Sequence, residues 1–233
     1  MLSLYIGNKN YSSWSLRPWL LMQTLEIPFV EHRLSLFTDG FKSTLSRYTP
    51  VARVPVLIDD DFSVWDSLAI VEYLAERFPD RGVWPKDFKA RARARSICAE
   101  MHSGFGALRT QLPMNLEAHL PGKGWNKAVQ KDVDRLVEMW RELLGAPGGP
   151  FLFGAFSAAD AFFAPIVTRL QTYGIDLPAD CQHYGAAIRA LPAMQAWTRE
   201  ALTEHEYLAE DEPYRDAPAD SVALSGDQNG GPR

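Results

Sequence analysis

The chain has 233 residues, 46% of them hydrophobic and 23% charged, with a formal net charge of -5, a size that allows one domain or two and ample apolar content for a core. The acid is concentrated at one end: residues 204–233 carry eight acidic and two basic side chains, so the other 203 residues sum to +1, which argues against a nucleic-acid partner. Two cysteines, Cys98 and Cys181, are too few for a disulfide framework or a four-ligand zinc site, and neither a bilayer-spanning run nor a signal-peptide pattern is present. A soluble, cytoplasmic protein without a metal or a membrane partner is expected.

Leu2, Leu4 and Ile6 alternate with Ser3 and Tyr5 before Gly7-Asn8-Lys9-Asn10 breaks the run, the pattern of a strand followed by a loop. A Ser-rich stretch opens a helical period through Leu16, Leu20, Leu21 and Leu25 that ends before Pro28. Residues 29–36 alternate as a strand, and 41–47 form a short helix. Residues 54–58 and 62–65 flank the acidic turn Asp59-Asp60-Asp61 as two strands. Residues 67–78 form an amphipathic helix with Leu68, Val71, Leu74 and Ala75 on one face. Beyond a break at 79–85 every periodic segment is helical: 87–116, 123–144, 157–173, and two shorter ones around Tyr184 and Trp197. The order predicts an α/β domain over 1–79, a linker at 80–86, an all-helical domain over 87–205 and an acidic tail over 206–233. That tail is too poor in aliphatic residues to offset its ordering entropy, so disorder is expected there.

Three junctions could carry chemistry. Tyr11-Ser12-Ser13-Trp14-Ser15 lies where a strand gives way to a helix; helix capping and an anion site at the helix N-terminus are both open readings. Arg53-Val54-Pro55-Val56 is either an edge-strand device or a cis proline that exposes the backbone of Val54 to a peptide-like ligand. Asp66-Ser67 starts the next helix, and offers a carboxylate, a hydroxyl and free amides that cap the helix or hold an amino-acid head group.

In this order, the serine stretch with Arg17 five positions after Ser12, the Val54-Pro55-Val56-Leu57 run, the Asp66-Ser67 pair and Phe156-Ser157-Ala158-Ala159-Asp160 resemble the glutathione S-transferase superfamily, over essentially residues 1–203. Within it they are similar to the serine-type zeta- and theta-like branches. The resemblance implies an α/β thioredoxin-like N-terminal domain plus an all-α C-terminal domain, a homodimer, and glutathione as co-substrate. It implies that Ser12, with Ser13 the fallback, donates a hydrogen bond to the glutathione sulfur. The backbone of Val54, beside Pro55, would pair with the cysteinyl portion, Asp66 and Ser67 would hold the γ-glutamyl end, and Lys42 and Arg53 would stand near the glycyl carboxylate. A hydroxyl donor at a helix N-terminus favours the thiolate, lowering its pKa from the ordinary ~8.5; no general base on the protein is required.

Pro18 departs from the pattern. A proline is tolerated in an opening turn, so the helix is expected to begin nearer Ser15 than Ser12. No cysteine occupies the serine position, which disfavours thiol–disulfide chemistry of the omega- and glutaredoxin-like kind; Cys98 and Cys181 read as buried apolar residues. The second substrate is placed between the domains, against Tyr11, Trp14, Met101, Phe105 and Leu108, with plain core packing the competing reading for the helical positions. Lys89, Arg91, Arg93 and Arg95 read as solvated or subunit-contacting surface, and His102 and His119 receive no role. A detoxifying transferase that conjugates glutathione to a small electrophile is the first expectation. The alternatives are a zeta-like cis–trans isomerase of a maleyl-type diacid, favoured if Arg17 or Arg109 reaches the cleft, and a non-catalytic adaptor with the same fold.

Overall fold

The computed structural model describes residues 1–145 and 149–215. Its first part runs β1 (Leu2–Ile6), α1 (Ser13–Thr24), β2 (Val30–Arg33), α2 (Asp39–Leu45), β3 (Val56–Asp59), β4 (Phe62–Trp65) and α3 (Ser67–Arg77). The strands form one sheet in the order β2-β1-β3-β4. β1 and β2 are parallel, with Ser3 registered on Val30; β1 with β3 and β3 with β4 are antiparallel, with Leu4 opposite Leu57 and Val56 opposite Trp65. Alternation along the strands sends Leu4, Ile6 and Leu57 into the core with Leu16 and Leu20 of α1 and Ile70 and Leu74 of α3. Val56 and Ile58 point the other way, into a smaller cluster with Leu45 of α2.

The second part is helical: α4 (Phe88–Ser103), α5 (Gly106–Gln111), α6 (Lys127–Leu143), α7 (Ala158–Thr172), α8 (Ala179–Ala190) and α9 (Pro192–Ala201). α7 is buried along almost its whole length and packs against α1, α4 and α8. The buried carboxylate of Asp160 sets its start, accepting the amides of Ser157 at 2.8 Å and Leu152 at 3.1 Å and the Tyr184 hydroxyl at 3.2 Å. Cys98 and Cys181 are buried and unpaired by disulfide. No described helix is long and apolar enough to cross a membrane.

Three expectations need correction. The segment 87–116 is not one helix. Gly104 passes so close to the preceding turn that a Cβ would lie 2.7 Å from the Glu100 carbonyl oxygen, and Phe105 takes a left-handed φ of 54°, which breaks the period and redirects the chain into α5. α1 starts at Ser13 rather than nearer Ser15, because the Ser12 carbonyl already accepts the Leu16 amide at 3.2 Å; Pro18 therefore sits inside the helix, past its opening turn. The acidic segment is docked rather than free as far as Arg215. Glu206 bonds Asn8 and Arg33, and the Tyr214 hydroxyl donates to the Gln111 carbonyl at 2.8 Å, so polar partners on the body replace the aliphatic burial that the composition lacks. Residues 216–233, the rest of the expected tail, lie outside the described residues.

The loop between β1 and α1 locks the two parts together. Lys9 is only 2% exposed: its ammonium lies 2.8 Å from Glu31, pairs with Glu200 of α9, and sits 4.9 Å and 5.3 Å from the ring centres of Trp19 and Trp197. Trp197 returns a bond, its indole N–H donating to the Lys9 carbonyl at 2.9 Å. The Asn10 side chain accepts the amides of Leu116 and Glu117 at 2.7 Å and 3.0 Å. Lys9→Ala leaves Glu31 and Glu200 without their counter-charge in a partly buried seam and is expected to cost about 3 kcal/mol, read as a lower urea midpoint. Lys9→Met, which keeps the stem between the two indoles, should recover part of that loss.

Candidate functional site

β1 delivers the chain at the sheet's carboxyl end, the locked loop turns it, and α1 begins at the mouth of a cleft between the two parts. The cleft has a volume of about 540 Å³ and is walled by Tyr11, Ser12, Ser13 and Trp14, by Leu36, Phe37 and Phe41, by Arg53 and Val54, and across from them by Arg109, Pro113, Met114, Arg169 and Asp211. A groove of similar size between α7 and α9 contains none of the candidate serines.

At the helix mouth, the Gly7 amide donates to the Ser15 hydroxyl at 3.1 Å, and the Ser15 and Ser12 hydroxyls are 2.7 Å apart. Either hydroxyl can donate in this pair; when Ser15 donates, the Ser12 proton is available to the cleft. Among the described residues the Trp14 and Ser15 amides have no acceptor, as expected of a helix's first turn. Ser13 is engaged differently: its hydroxyl accepts from the Arg169 guanidinium at 3.2 Å.

Val54 and Asp66 leave the β3–β4 pair side by side, because Val56 is registered on Trp65. The Val54–Pro55 bond is cis, and Asp66 holds a positive φ of 76°, uncommon for a residue with a Cβ. One Asp66 carboxylate oxygen accepts the Leu68 amide at 2.8 Å, capping α3, and the other lies 3.2 Å from the His102 imidazole on α4. Ser67 is buried and its hydroxyl has no partner among the described residues.

The cleft is strongly cationic on its helical side. Arg169 of α7 is buried, donates to the carbonyls of Leu112 and Pro165 as well as to Ser13, and is pulled down to about 10 by burial and by Arg109. Arg109 of α5 donates to the His102 carbonyl at 3.2 Å and lies 5.4 Å from the Trp14 ring centre; burial lowers it too. Beneath them Arg17 stacks 4.1 Å from the Trp14 ring centre and 4.8 Å from that of Phe162. Two of its nitrogens, Nε and Nη1, are buried without a partner among the described residues, and burial together with Arg169 and Arg109 draws it down to about 9.

The structure thus brings together Ser12, Ser13, Tyr11, Trp14, Arg53 and Val54, with Pro55, Asp66 and Ser67 adjoining. Lys42 is exposed on α2, outside the cleft wall that its neighbour Phe41 joins. Met101, Phe105 and Leu108 are not pocket walls: they are buried in the core, because the apolar period of α4 and α5 faces α6 and α7 rather than the cleft. Of the basic residues considered for the cleft, Arg109 reaches it and Arg17 lies beneath the wall. Sequence reasoning missed Arg169, Met114 and Asp211, which are distant in the chain and carry no local motif. It also gave no role to His102, whose partner Asp66 comes from another element. Among the described residues no cluster of three or more His, Cys, Asp or Glu side chains could hold a metal ion.

The family models described as glutathione S-transferase, N-terminal domain, and glutathione S-transferase, C-terminal domain, match residues 11–77 and 116–200. The chain is 31% identical to a protein of Caenorhabditis elegans named probable maleylacetoacetate isomerase, over 75% of this chain and 81% of that one. It is 27% identical to the maleylacetoacetate isomerase of Rattus norvegicus, over 82% and 89% of the two chains. Among solved structures, a glutathione transferase homolog from Burkholderia gl BGR1 with bound glutathione superposes with a TM-score of 0.66 at 25% identity, covering 86% of this chain and 97% of that one.

The orphaned guanidinium of Arg17 predicts a substitution of unusual sign. Arg17→Met keeps a long side chain against Trp14 and removes a buried charge without a carboxylate partner, so it is expected to raise stability by about 1 kcal/mol or more in urea unfolding. A lower midpoint would show that Nε and Nη1 find partners in solution.

Proposed function

Because the chain belongs to the glutathione S-transferase family, we propose that it is a glutathione-dependent cis–trans isomerase of a maleyl-type diacid, with conjugation of glutathione to a small electrophile as the second reading. The observation that carries the choice is the convergence of Arg109 and Arg169 on the cleft onto which Ser12 opens. A neutral electrophile needs no such pair, whereas a substrate carboxylate is bound by guanidinium groups through charge-assisted hydrogen bonds. The relatives from Caenorhabditis elegans and Rattus norvegicus, a probable and a named maleylacetoacetate isomerase, point the same way.

The residues present fit the tripeptide. Ser67 offers a buried hydroxyl with no partner among the described residues, beside an Asp66 carboxylate fixed by the Leu68 amide and His102, a pair suited to an α-amino acid end. Val54 and Arg53 share the cleft wall with Ser12. Glutathione supplies a thiol that, as thiolate, adds to a conjugated double bond and is expelled once the carbon–carbon bond has turned, so that none is consumed. The chain's part is electrostatic. Ser12, donating to the sulfur while it accepts from Ser15, and the free amides of the first turn of α1 hold negative charge on the sulfur. Arg109 and Arg169 hold a carboxylate of the diacid and stabilise the charge that develops on its conjugated carbonyl. Trp14, Phe37 and Phe41 supply the apolar wall.

Turnover of a maleyl-type diacid without loss of glutathione is the expected result, and net consumption of glutathione would favour the conjugating transferase. Calorimetry that detects no glutathione binding at all would favour a non-catalytic adaptor. Ser12→Ala is expected to slow the reaction by about tenfold to a thousandfold and to raise the pKa of the bound thiol in a spectroscopic titration, with glutathione affinity little changed. If Ser13→Ala alone has that effect, the sulfur lies one residue further along. Arg169→Gln is expected to raise the KM for the diacid by about tenfold or more.

A further inference from the structure

The segment that follows α9 does more than end the chain. It returns over the cleft and is tied at several points: Glu206 to Asn8 and to Arg33, with 2.6 Å and 2.7 Å separations; the Glu206 carbonyl and the Glu212 carboxylate to the Tyr11 hydroxyl; and Tyr214 to the Gln111 carbonyl. These ties hold the short 3₁₀ turn Ala209–Asp211 so that Asp211 becomes part of the cleft wall, in the same cavity as Ser12, Ser13, Arg109 and Arg169. Every other carboxylate of residues 204–212 except Glu210 has a hydrogen-bond partner. Asp211 has neither a hydrogen bond to its side chain nor an ion pair within 4.0 Å among the described residues.

We propose that Asp211 is a specificity-determining residue, a resident carboxylate that faces Arg169 and must be neutralised or displaced before the carboxylate of an anionic substrate takes its place. The inference deepens the diacid reading and rests on it. An acid held across from a buried guanidinium partly balances that cation, and it repels a second acid that arrives on the same side. The strap thus sets how strongly the cleft attracts a dianion, without touching the sulfur site. Burial pushes Asp211 up to about 6, against the opposing pull of Arg169 and with Glu210 and Glu212 adding to the rise. Its charge is therefore present at neutral pH and is lost as pH falls through that value. The charged and titratable groups around it are Tyr11, Arg53, Arg109 and Arg169 in the cleft, Glu210 beside it on the strap, and Glu117, His119, Tyr173, Glu212, Tyr214 and Arg215 on its outer side.

The test is calorimetric binding of fumarate, a diacid that stays doubly ionised through the range used, to the full chain saturated with S-methylglutathione. Fumaramide serves as the uncharged counterpart. Asp211→Asn is expected to tighten fumarate binding by about tenfold at neutral pH and to leave fumaramide unchanged. In the wild-type protein fumarate affinity is expected to rise as pH falls from about 7.5 to about 5.5, and that rise should vanish in Asp211→Asn and persist in His119→Asn. Equal fumarate affinity in the two proteins, or an equal gain for fumaramide, would overturn the role of Asp211 while leaving the diacid reading intact. If neither protein binds fumarate, the diacid reading falls and this inference with it.

Discussion

A short polar loop, from Asn8 to Tyr11, carries the geometry of this protein. Its side chains belong to types ordinarily found in water, yet they are buried in the seam between the sheet and the helices. The seam is stable only because each has a specified partner. Lys9 lies between two indoles and two glutamates, Asn10 caps the chain at Leu116 and Glu117, and the amides of Lys9 and Asn10 both donate to Glu204. Such groups tolerate little displacement, since a buried polar atom that loses its partner costs far more than the net gain of making the bond. The loop therefore behaves as a bolt. Once it is seated, α1 lies along α7 and its N-terminus faces Arg169.

The same seam concentrates positive charge. Burial disfavours the charge of Arg17, Arg109 and Arg169 alike; Arg169 and Arg109 lower Arg17 further, and Arg109 lowers Arg169. Two carboxylates temper it, Asp66 acting on Arg17 and Asp211 of the C-terminal strap acting on Arg169. A protein that only had to fold would find this arrangement unfavourable, because an unpaired buried guanidinium stabilises nothing. Under the proposed diacid reading the arrangement is favoured, because a thiolate and a carboxylate approach each other only where fixed opposite charges surround them. Stability is surrendered here, at the site, and recovered in the well-packed core around Trp140, Tyr184 and α7.

The elements themselves were legible in the chain because they rest on local periodicity. Leu2, Leu4 and Ile6 alternate, Leu16, Leu20 and Leu21 recur at helical spacing, and the three aspartates 59–61 mark the hairpin; the structure places strands, helix and turn there. Where reading failed, a tertiary contact had overridden a local preference. The helical period runs through Gly104 and Phe105 without a visible stop, but the turn closes against Glu100. Pro18 suggests a helix start just before it, but the first helical bond already forms from Ser12. The composition of residues 206–215 suggests disorder, but Asn8, Tyr11, Arg33 and Gln111 hold them in place.

The sequence by itself determined the architecture and the local setting of half of the candidate site: the serines at the mouth of α1, the Val54-Pro55 turn and the Asp66-Ser67 pair each sit at a strand end or a helix start, where neighbouring residues along the chain suffice to place them. The other half was decided only in three dimensions. Arg109, Arg169 and Asp211 come from three separate segments, and Met101, Phe105 and Leu108, which share their helical spacing with any cleft-lining stripe, turned inward instead. Periodicity states that a face is apolar or charged but not what that face meets. That depends on how the helices pack against the sheet, and here the packing angle is set by buried polar contacts between residues almost two hundred positions apart.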